Sequence, residues 1–227
     1  MKLDRLTPRV WVYPYEEARD RPNLVYIQGD CWSLAVDAGH SADHTRDFYG
    51  ALEEAGLPLP KLTVLTHWHW DHSFGMHAVH GLCLANARTN RFLMEFRERL
   101  AREGKDFFLA MHESIRREYA DGKPVVVTTA DLVFQGEMEL DAGNCPVHLF
   151  QAENPHTEDG TLIELPEEKV LLLGDADCGA FPDWTVDPGL ARKLAETIRK
   201  VNPDVCLCGH WTPLSQEETV RDLLAGI

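Results

Sequence analysis

Three histidines and an aspartate occupy six consecutive positions in the stretch LTHWHWDHSFG, residues 65–75. His67 and His69 alternate with tryptophans, and Asp71 and His72 follow directly. Imidazole and carboxylate groups are the ligands that zinc, iron and manganese prefer in proteins. A solvated loop would explain a lone histidine. Four such side chains packed directly after an apolar strand-type run favour a metal site instead.

Ligand-type residues also follow other strand-type runs. Just as KLTVLT leads into His67, KVLLLG leads into Asp175 and DVCLCG leads into His210. A fourth run, PVHLFQA, is followed shortly by His156. Loops at strand ends of α/β sheets are where functional sites are built, so these side chains are expected to converge. One short loop cannot easily wrap four ligands around one ion, so two adjacent ions are expected.

The elements that must position these residues form an α/β pattern. Apolar runs of strand type, bounded by glycine and proline turns, flank segments with helical spacing. The strand-type runs are VWVYPY, NLVYIQGD, CWSLAVDAG and KLTVLT before residue 67, and PVVVTTADLVF, EMELD, PVHLFQA, TLIELP, KVLLLGD and DVCLCG after it. Helices are predicted at 43–56, 187–201 and 215–225. Four-residue spacing of apolar residues predicts a helical hairpin over 86–121. We expect one domain spanning 1–227, with a helical insert at about 86–123.

Composition limits the classes of partner. Acidic residues outnumber basic ones by 37 to 22, giving a formal charge of −15, which argues against nucleic acid as a partner. No apolar stretch approaches the length of a membrane span, and the N-terminus lacks the apolar core of a signal peptide. The six cysteines are scattered without a C-x-x-C pair, as expected for free thiols in a reducing compartment. We therefore expect a soluble, cytoplasmic protein.

The full set of motifs resembles the metallo-β-lactamase-fold superfamily of metallohydrolases. The resemblance rests on HWHWDH, on His156 in PHTEDG, on Asp175 in LLLGDAD and on His210 in CGHW, in the family's order over nearly the whole chain. It implies an α/β fold, a four-layer αββα sandwich with the site at one edge of two sheets. It also implies a ligand set: His67, His69 and His156 for one metal, Asp71, His72 and His210 for the other, and Asp175 bridging.

The resemblance also implies a reaction class. A binuclear metal-dependent hydrolase would use a metal-bridging hydroxide to attack a small ester, thioester, lactone or phosphoester. Asp71 would pass protons as well as bind metal. Zinc is the expected ion, with iron and manganese as alternatives. An iron-dependent oxidoreductase of dioxygenase type on the same fold is the alternative function. At the bridging position Asp175 replaces the cysteine of one group of true β-lactamases, so antibiotic hydrolysis is not expected.

Five further residues are candidates for supporting roles. Asp37 in VDAG and Asp177 are candidates for orienting ligand histidines, with ordinary turn or capping roles as the alternative. His40 follows the VDAG turn and is a candidate substrate contact. Arg116 and Arg117 lie in the helical insert, which we expect to cap the site and to favour an anionic small-molecule substrate. The alternative for the insert is a solvated helix face of mixed charge. Cys178 is expected to be structural.

Overall fold

The computed structural model describes residues 1–225 and 227. Two β-sheets lie face to face. One has seven strands and the other six. The strands of the first sheet, in spatial order, are β1 (Asp4–Arg5), β2 (Val10–Tyr13), β3 (Leu24–Gln28), β4 (Ser33–Val36), β5 (Leu62–Val64), β6 (Leu82–Asn86) and β7 (Leu132–Phe134). Pairing is antiparallel from β1 to β4 and parallel from β4 to β7.

The second sheet is built from the later part of the chain. Its strands are β8 (Glu137–Asp141), β9 (Pro146–Gln151), β10 (Thr161–Leu165), β11 (Val170–Gly174), β12 (Val205–Cys208) and β13 (Leu214–Ser215). They follow the order β13-β12-β11-β10-β9-β8, and only β11 and β12 pair in parallel. The expected strand PVVVTTADLVF is a strand only at its last three residues, where it pairs with β6.

Helices cover the outer face of each sheet. They are α1 (Ala42–Glu54), α2 (Trp70–Ser73), α3 (Ala87–Glu103), α4 (Asp106–Leu109), α5 (Glu113–Glu118), α6 (Pro188–Val201) and α7 (Gln216–Ala225). On the first sheet α1 buries Phe48 and Leu52, and on the second α6 buries Leu194 and Ile198. The αββα sandwich is confirmed. Within the described residues, each helix is too short or too polar to cross a lipid bilayer.

The main hydrophobic core lies between the sheets. Val36 and Val64 from the first sheet and Leu149 and Leu172 from the second belong to one buried cluster. Because alternate residues of a strand point to opposite faces, the other face of each sheet buries its side chains under the helices. Burial of this apolar surface is the main stabilising contribution to the sandwich. Packing of the two sheets against each other therefore fixes the positions of the strand ends.

The helical segment differs from the predicted hairpin. A single long helix, α3, buries Leu93 and Phe96 and ends at Gly104, whose φ of 77° lies in the left-handed region. Two short helices follow instead of a second long one. The side chain of His112 accepts a hydrogen bond from the Ser114 amide, which starts α5 as a separate helix.

The ends of β4, β5, β11 and β12 meet at one edge of the sandwich. Two backbone hydrogen bonds join the sheets there: the Thr161 amide donates to Thr66 O at 2.8 Å, and the Asn23 amide donates to Gly209 O at 2.6 Å. β11 and β12 are parallel, so the residues that follow them emerge side by side. This edge therefore collects the loops that contain the predicted ligands.

Candidate metal centre

The HWHWDH motif begins three residues after the end of β5, following Leu65 and Thr66. The chain leaves the strand in extended form, with His69 at φ −52° and ψ 149°, and then turns into the short helix α2. His67 and His69 lie in the extended part, while Asp71 and His72 lie on α2. All four side chains are buried. The change from extended chain to helix separates the motif into two pairs that face different partners.

The first group contains His67, His69 and His156, whose ligand-type atoms lie within 4.8 Å of one another. His156 Nε2 is 2.8 Å from His69 Nδ1. Burial, together with the neighbouring histidines, lowers the pKa of His69 to about 3 and holds that of His67 well below its usual value. Both rings are therefore neutral near pH 7 and have a free nitrogen lone pair, the form that binds metal.

The second group contains Asp71, His72, Asp175 and His210, also within 4.8 Å of one another. His210 Nε2 lies 3.0 Å from Asp71 Oδ2, and His72 Nε2 lies 3.2 Å from the same oxygen. Burial opposes charge on all four side chains. The carboxylates nevertheless raise the pKa values of both histidines, and the histidines hold those of both carboxyls well below normal.

Asp175 lies between the two groups. Its Oδ2 is 3.4 Å from His210 Nε2 and 3.8 Å from His156 Nε2, while its Oδ1 is 3.3 Å from His72 Nε2. Beside it, Gly209 approaches so closely that a Cβ there would lie 2.2 Å from Asp175 Oδ1. The carboxylate is thus placed where one side chain can contact both groups.

Buried atoms without partners support metal binding at these two groups. Among the described residues, His67 Nε2, His72 Nε2 and Asp175 Oδ1 are buried and make no hydrogen bond of acceptable geometry, although the last two atoms lie 3.3 Å apart. Leaving a buried polar atom unpaired costs about 1–3 kcal/mol, so three at one site call for another partner. The two groups provide five imidazoles and two carboxylates. This donor set fits two divalent transition-metal ions.

Asp37 and the Gly179 carbonyl contact the Nδ1 atoms of two ligand histidines, His72 and His156. Asp37 Oδ2 lies 2.7 Å from His72 Nδ1, and its Oδ1 accepts the Thr66 amide at 2.8 Å. His156 Nδ1 lies 2.8 Å from Gly179 O and donates to it. Both contacts place the proton on Nδ1 and leave Nε2 free for a metal. Asp37 therefore has the geometry of the predicted orienting role.

Two other candidates differ from their predicted roles. Asp177 accepts a hydrogen bond from the Cys208 thiol at 2.9 Å and contacts no ligand histidine by a hydrogen bond in the described structure. Burial raises the pKa of Asp177 to about 6. His40 is fully buried, and its Nδ1 donates to Arg19 O at 2.9 Å. It supports a loop rather than contacting substrate, because burial leaves it no exposed surface.

A cavity of about 300 Å³ opens directly onto the second group. Its walls combine ligands with aromatic and acidic side chains. The lining residues are Tyr15, Glu17, Asp20, His69, Trp70, Asp71, Asp175, Cys178, Trp184, His210 and Trp211. Burial raises the pKa of the Cys178 thiol far above its usual value, which makes it a poor nucleophile and fits the predicted structural role.

The helical insert does not cap this cavity, contrary to prediction. Among the described residues, none from 86–123 is in its lining. Arg116 donates to Leu109 O, and Arg117 pairs with Glu113 on its own helix and donates to Ala18 O. The insert packs against the outer face instead, because Phe96, Phe108 and Ile115 are buried in the cluster around Trp70.

The lining residues Tyr15, Glu17 and Asp20 come from a loop that contains none of the sequence-based candidates. They lie between β2 and β3 in a loop with a short 3₁₀ helix at Glu17–Arg19. Asp20 Oδ1 is 3.9 Å from His210 Nδ1, and burial together with Asp71 raises its pKa to about 6. The local sequence EEARDRPN reads as an ordinary polar loop, so only the folded structure reveals its position.

Sequence and structure comparisons agree with the geometry of the centre. A family model described as the metallo-beta-lactamase superfamily matches residues 23–210. The chain belongs to this superfamily. The matched span begins at the Asn23 that bonds to β12 and ends at the ligand histidine His210. Together with the two ligand groups, membership makes this chain a metallohydrolase of the metallo-β-lactamase superfamily.

Solved structures of the metallo-β-lactamase fold superpose over nearly the whole chain. A metallo-beta-lactamase from Pontibacter korlensis has 16% sequence identity and a TM-score of 0.70, covering 100% of this chain and 99% of that one. The DIM-1 metallo-beta-lactamase has 14% identity and a TM-score of 0.71, covering 99% and 95%. The sec-alkylsulfatase Pisa1 from Pseudomonas sp. has 18% identity and a TM-score of 0.70, covering 99% and 40%.

At these identities the superpositions show a shared metallo-β-lactamase fold and leave the substrate open. None of the curated proteins matches the sequence. The substrate of this superfamily member must therefore be inferred from its own cavity.

Proposed function

We propose that this protein is a binuclear metal-dependent hydrolase of a small ester, thioester, lactone or phosphoester, with zinc as the expected metal. The observation that carries the proposal is the position of Asp175, whose oxygens lie within 4 Å of His156 in one group and of His72 and His210 in the other. A carboxylate shared in this way suits two adjacent ions. A mononuclear site would leave the second group without a role.

Two bound divalent ions would supply an activated water near neutral pH and polarise the oxygen of a carbonyl or phosphoryl group. The residues of the chain do the rest. Asp71 lines the cavity and can accept and return a proton as well as hold metal. Asp37 keeps the His72 proton on Nδ1, and the Gly179 carbonyl does the same for His156.

The shape of the cavity limits the substrate. A volume of about 300 Å³ is at the small end of ligand sites and suits a small molecule. The indoles of Trp70, Trp184 and Trp211 provide apolar surface beside the ligands, which would exclude water from the reacting bond.

We expect about two transition-metal ions per chain in the fully loaded protein. Asp71→Ala and His210→Ala each remove a ligand from the second group, so metal content should fall toward one ion per chain. Turnover should fall by one to two orders of magnitude or more. Metal analysis after dialysis, with circular dichroism to confirm folding, measures this. His148→Ala is the control, since His148 lies outside both groups.

A single ion in the metal-replete wild-type protein would contradict the binuclear mechanism. Iron at that single site, with the visible colour of an iron protein, would favour the oxidoreductase alternative instead. If two colourless ions are found, the loaded protein should be screened against carboxylic esters, thioesters, lactones and phosphodiesters. Hydrolysis that chelation abolishes is the expected result.

A further inference from the structure

The cavity walls have a chemistry that metal binding does not require. Beyond the ligands, the lining includes the aromatic side chains of Tyr15, Trp184 and Trp211 and the carboxylates of Glu17 and Asp20. Among the described residues, no lysine or arginine is part of the lining. The mouth of the cavity is therefore both aromatic and negatively charged.

The arginines near these walls are already paired with acids. Arg19 lies 3.4 Å from Glu16, and Arg21 binds Glu118 at 2.8 Å and Asp47 at 2.9 Å. Their charges are thus neutralised by residues outside the cavity lining. The carboxylate of Glu17, in contrast, is exposed, and it has no salt bridge within the described structure.

Trp184 is held at the mouth in a strained conformation. Its φ of 57° lies in the left-handed region, which is costly for a bulky residue, and its side chain is half exposed. Its amide donates to Ala180 O at 2.8 Å, and the Ala180 amide donates to Thr185 O at 2.9 Å. The indole stacks near His156, with ring centroids 6.1 Å apart and an interplanar angle of 15°.

Trp211 is the second exposed aromatic residue of the mouth. Its side chain is 53% exposed, and it directly follows the ligand His210. Its carbonyl accepts a hydrogen bond from Asn23 at 2.8 Å, which fixes the backbone there. Large exposed indoles on fixed backbones at a cavity mouth are typical of ligand contacts, because exposure of so much apolar surface to water is otherwise unfavourable.

We propose that the substrate contains a cationic group, a quaternary ammonium or a protonated amine, bound at this aromatic and acidic mouth. Aromatic faces attract cations through the ring quadrupole, and carboxylates add charge complementarity. The ester or phosphoester bond would then lie over the metal ligands. This assignment rests on the proposed hydrolase function and specifies its substrate class. It replaces the anionic substrate predicted from Arg116 and Arg117, neither of which is a lining residue of the cavity.

Binding of a non-hydrolysable pair tests the proposal without turnover. Choline and its neutral isostere 3,3-dimethylbutan-1-ol have nearly the same shape and differ in charge. Titration calorimetry or ligand-observed NMR on the metal-loaded protein should give about tenfold tighter binding of choline. Equal affinity, tighter binding of the alcohol, or no binding of either compound would overturn the proposal.

Single substitutions test whether choline binds at the mouth of the cavity. Trp211→Leu should weaken choline about tenfold and the alcohol much less, and Glu17→Gln should weaken choline severalfold. Trp184→Gly, which also relieves the backbone strain, is the second aromatic variant if Trp211→Leu does not fold. Glu139→Gln is the matched control, because it removes one exposed acid from β8, far from the cavity lining. An equal loss in Glu139→Gln and Glu17→Gln would overturn the assignment in favour of the overall negative charge.

Hydrolysis separates this proposal from the proposed function. For the ester class that is cleaved, leaving groups ending in trimethylammonium, tert-butyl and carboxylate should rank in that order of kcat/KM. A reversed order, with the carboxylate best, would overturn the cationic assignment while leaving the hydrolase intact. Choline binding at the mouth without turnover of any ester class would support the cation site and contradict the hydrolase.

Discussion

Asp37 stands at the end of β4, with a left-handed backbone at φ 64° and its carboxylate against His72. Left-handed conformations are tolerated by aspartate and asparagine better than by most residues, which explains this residue type at the turn. The carboxylate accepts hydrogen bonds from the Thr66 amide, the Thr66 hydroxyl and His72 Nδ1–H. The amide and the ring N–H can only donate, so these two hydrogen bonds depend on a group that has only acceptors.

We expect Asp37→Asn to lower affinity for the second metal ion by about 10–100-fold. The asparagine fits the same backbone, but its NH₂ must then face one of two donors, so His72 loses its fixed orientation. Competition with a chelator measures the affinity directly. Asp131→Asn is the control, because Asp131 accepts the Cys83 amide at 2.8 Å without contacting a ligand. Wild-type affinity in Asp37→Asn would show that His72 does not need this support.

At the scale of elements, a buried ion pair joins the helical insert to the cavity wall. Arg21 follows the loop that provides Glu17 and Asp20, and it binds Glu118 at the end of α5 through two hydrogen bonds of 2.8 and 2.9 Å. The Arg21 side chain is 3% exposed and that of Glu118 is 0%. The Ser41 hydroxyl, at the start of α1, also donates to Glu118. The insert therefore stabilises the loop that provides Glu17 and Asp20, through the Arg21–Glu118 pair, and does not cover the cavity.

Glu118→Ala should lower the free energy of unfolding by about 3 kcal/mol, because it removes the only fully buried acid that binds the Arg21 guanidinium and leaves the partly exposed Asp47 and Glu16 as partners within the described structure. Glu113→Ala is the matched control. Its side chain is 62% exposed and pairs with Arg117, and such surface pairs contribute about 0–1 kcal/mol. Denaturant unfolding of the metal-free proteins measures both. Similar losses in the two variants would contradict a structural role for the buried pair.

The metal ligands were accessible from sequence because they obey a local rule. Apolar runs predicted β5, β11 and β12, and His67, Asp175 and His210 follow within three residues of the ends of these strands. The fold followed from the same strands and from the resemblance. The sequence was sufficient to predict a ligand wherever that ligand follows its strand closely in the chain.

The cavity walls could not be predicted in this way. The loop at 15–20 is held by contacts such as Arg21 with Glu118, which are 97 positions apart in the sequence. The predicted position of the insert was wrong for the same reason, namely that it depends on contacts between residues far apart in the sequence. Helical spacing predicts that a segment is helical, but the sheet face against which it packs depends on distant aromatic residues such as Trp70 and Phe74.

At the scale of the whole molecule, the centre draws ligands from both sheets. His67, His69, Asp71 and His72 follow a strand of the first sheet, while Asp175 and His210 follow strands of the second. His156 lies between β9 and β10, also in the second. Each ligand group contains members of both sets. Bound ions would therefore link the two layers at the edge where the backbone bonds of Thr66 and Gly209 already join them.

Removal of metal should therefore lower the melting temperature. An ion present at about 100 times its Kd stabilises the folded state by about 2.7 kcal/mol, which corresponds to roughly 5–10 °C for a chain of this size. Calorimetry with and without chelator measures the shift. His156→Ala should reduce it, because the first group is then incomplete. Identical melting curves in metal and in chelator would show that the ions do not stabilise the fold.

The division of the chain between the sheets has a consequence for biosynthesis. The described strands up to Phe134 build only the first sheet, and those from Glu137 onward build only the second. A nascent chain that has emerged as far as Phe134 holds two ligands of the first group and two of the second, and neither set is complete. The first group is completed when His156 leaves the ribosome, and the second only when His210 does. Both groups are therefore complete only after residue 210 has been synthesised, so loading of both ions must follow the synthesis of strands from both sheets.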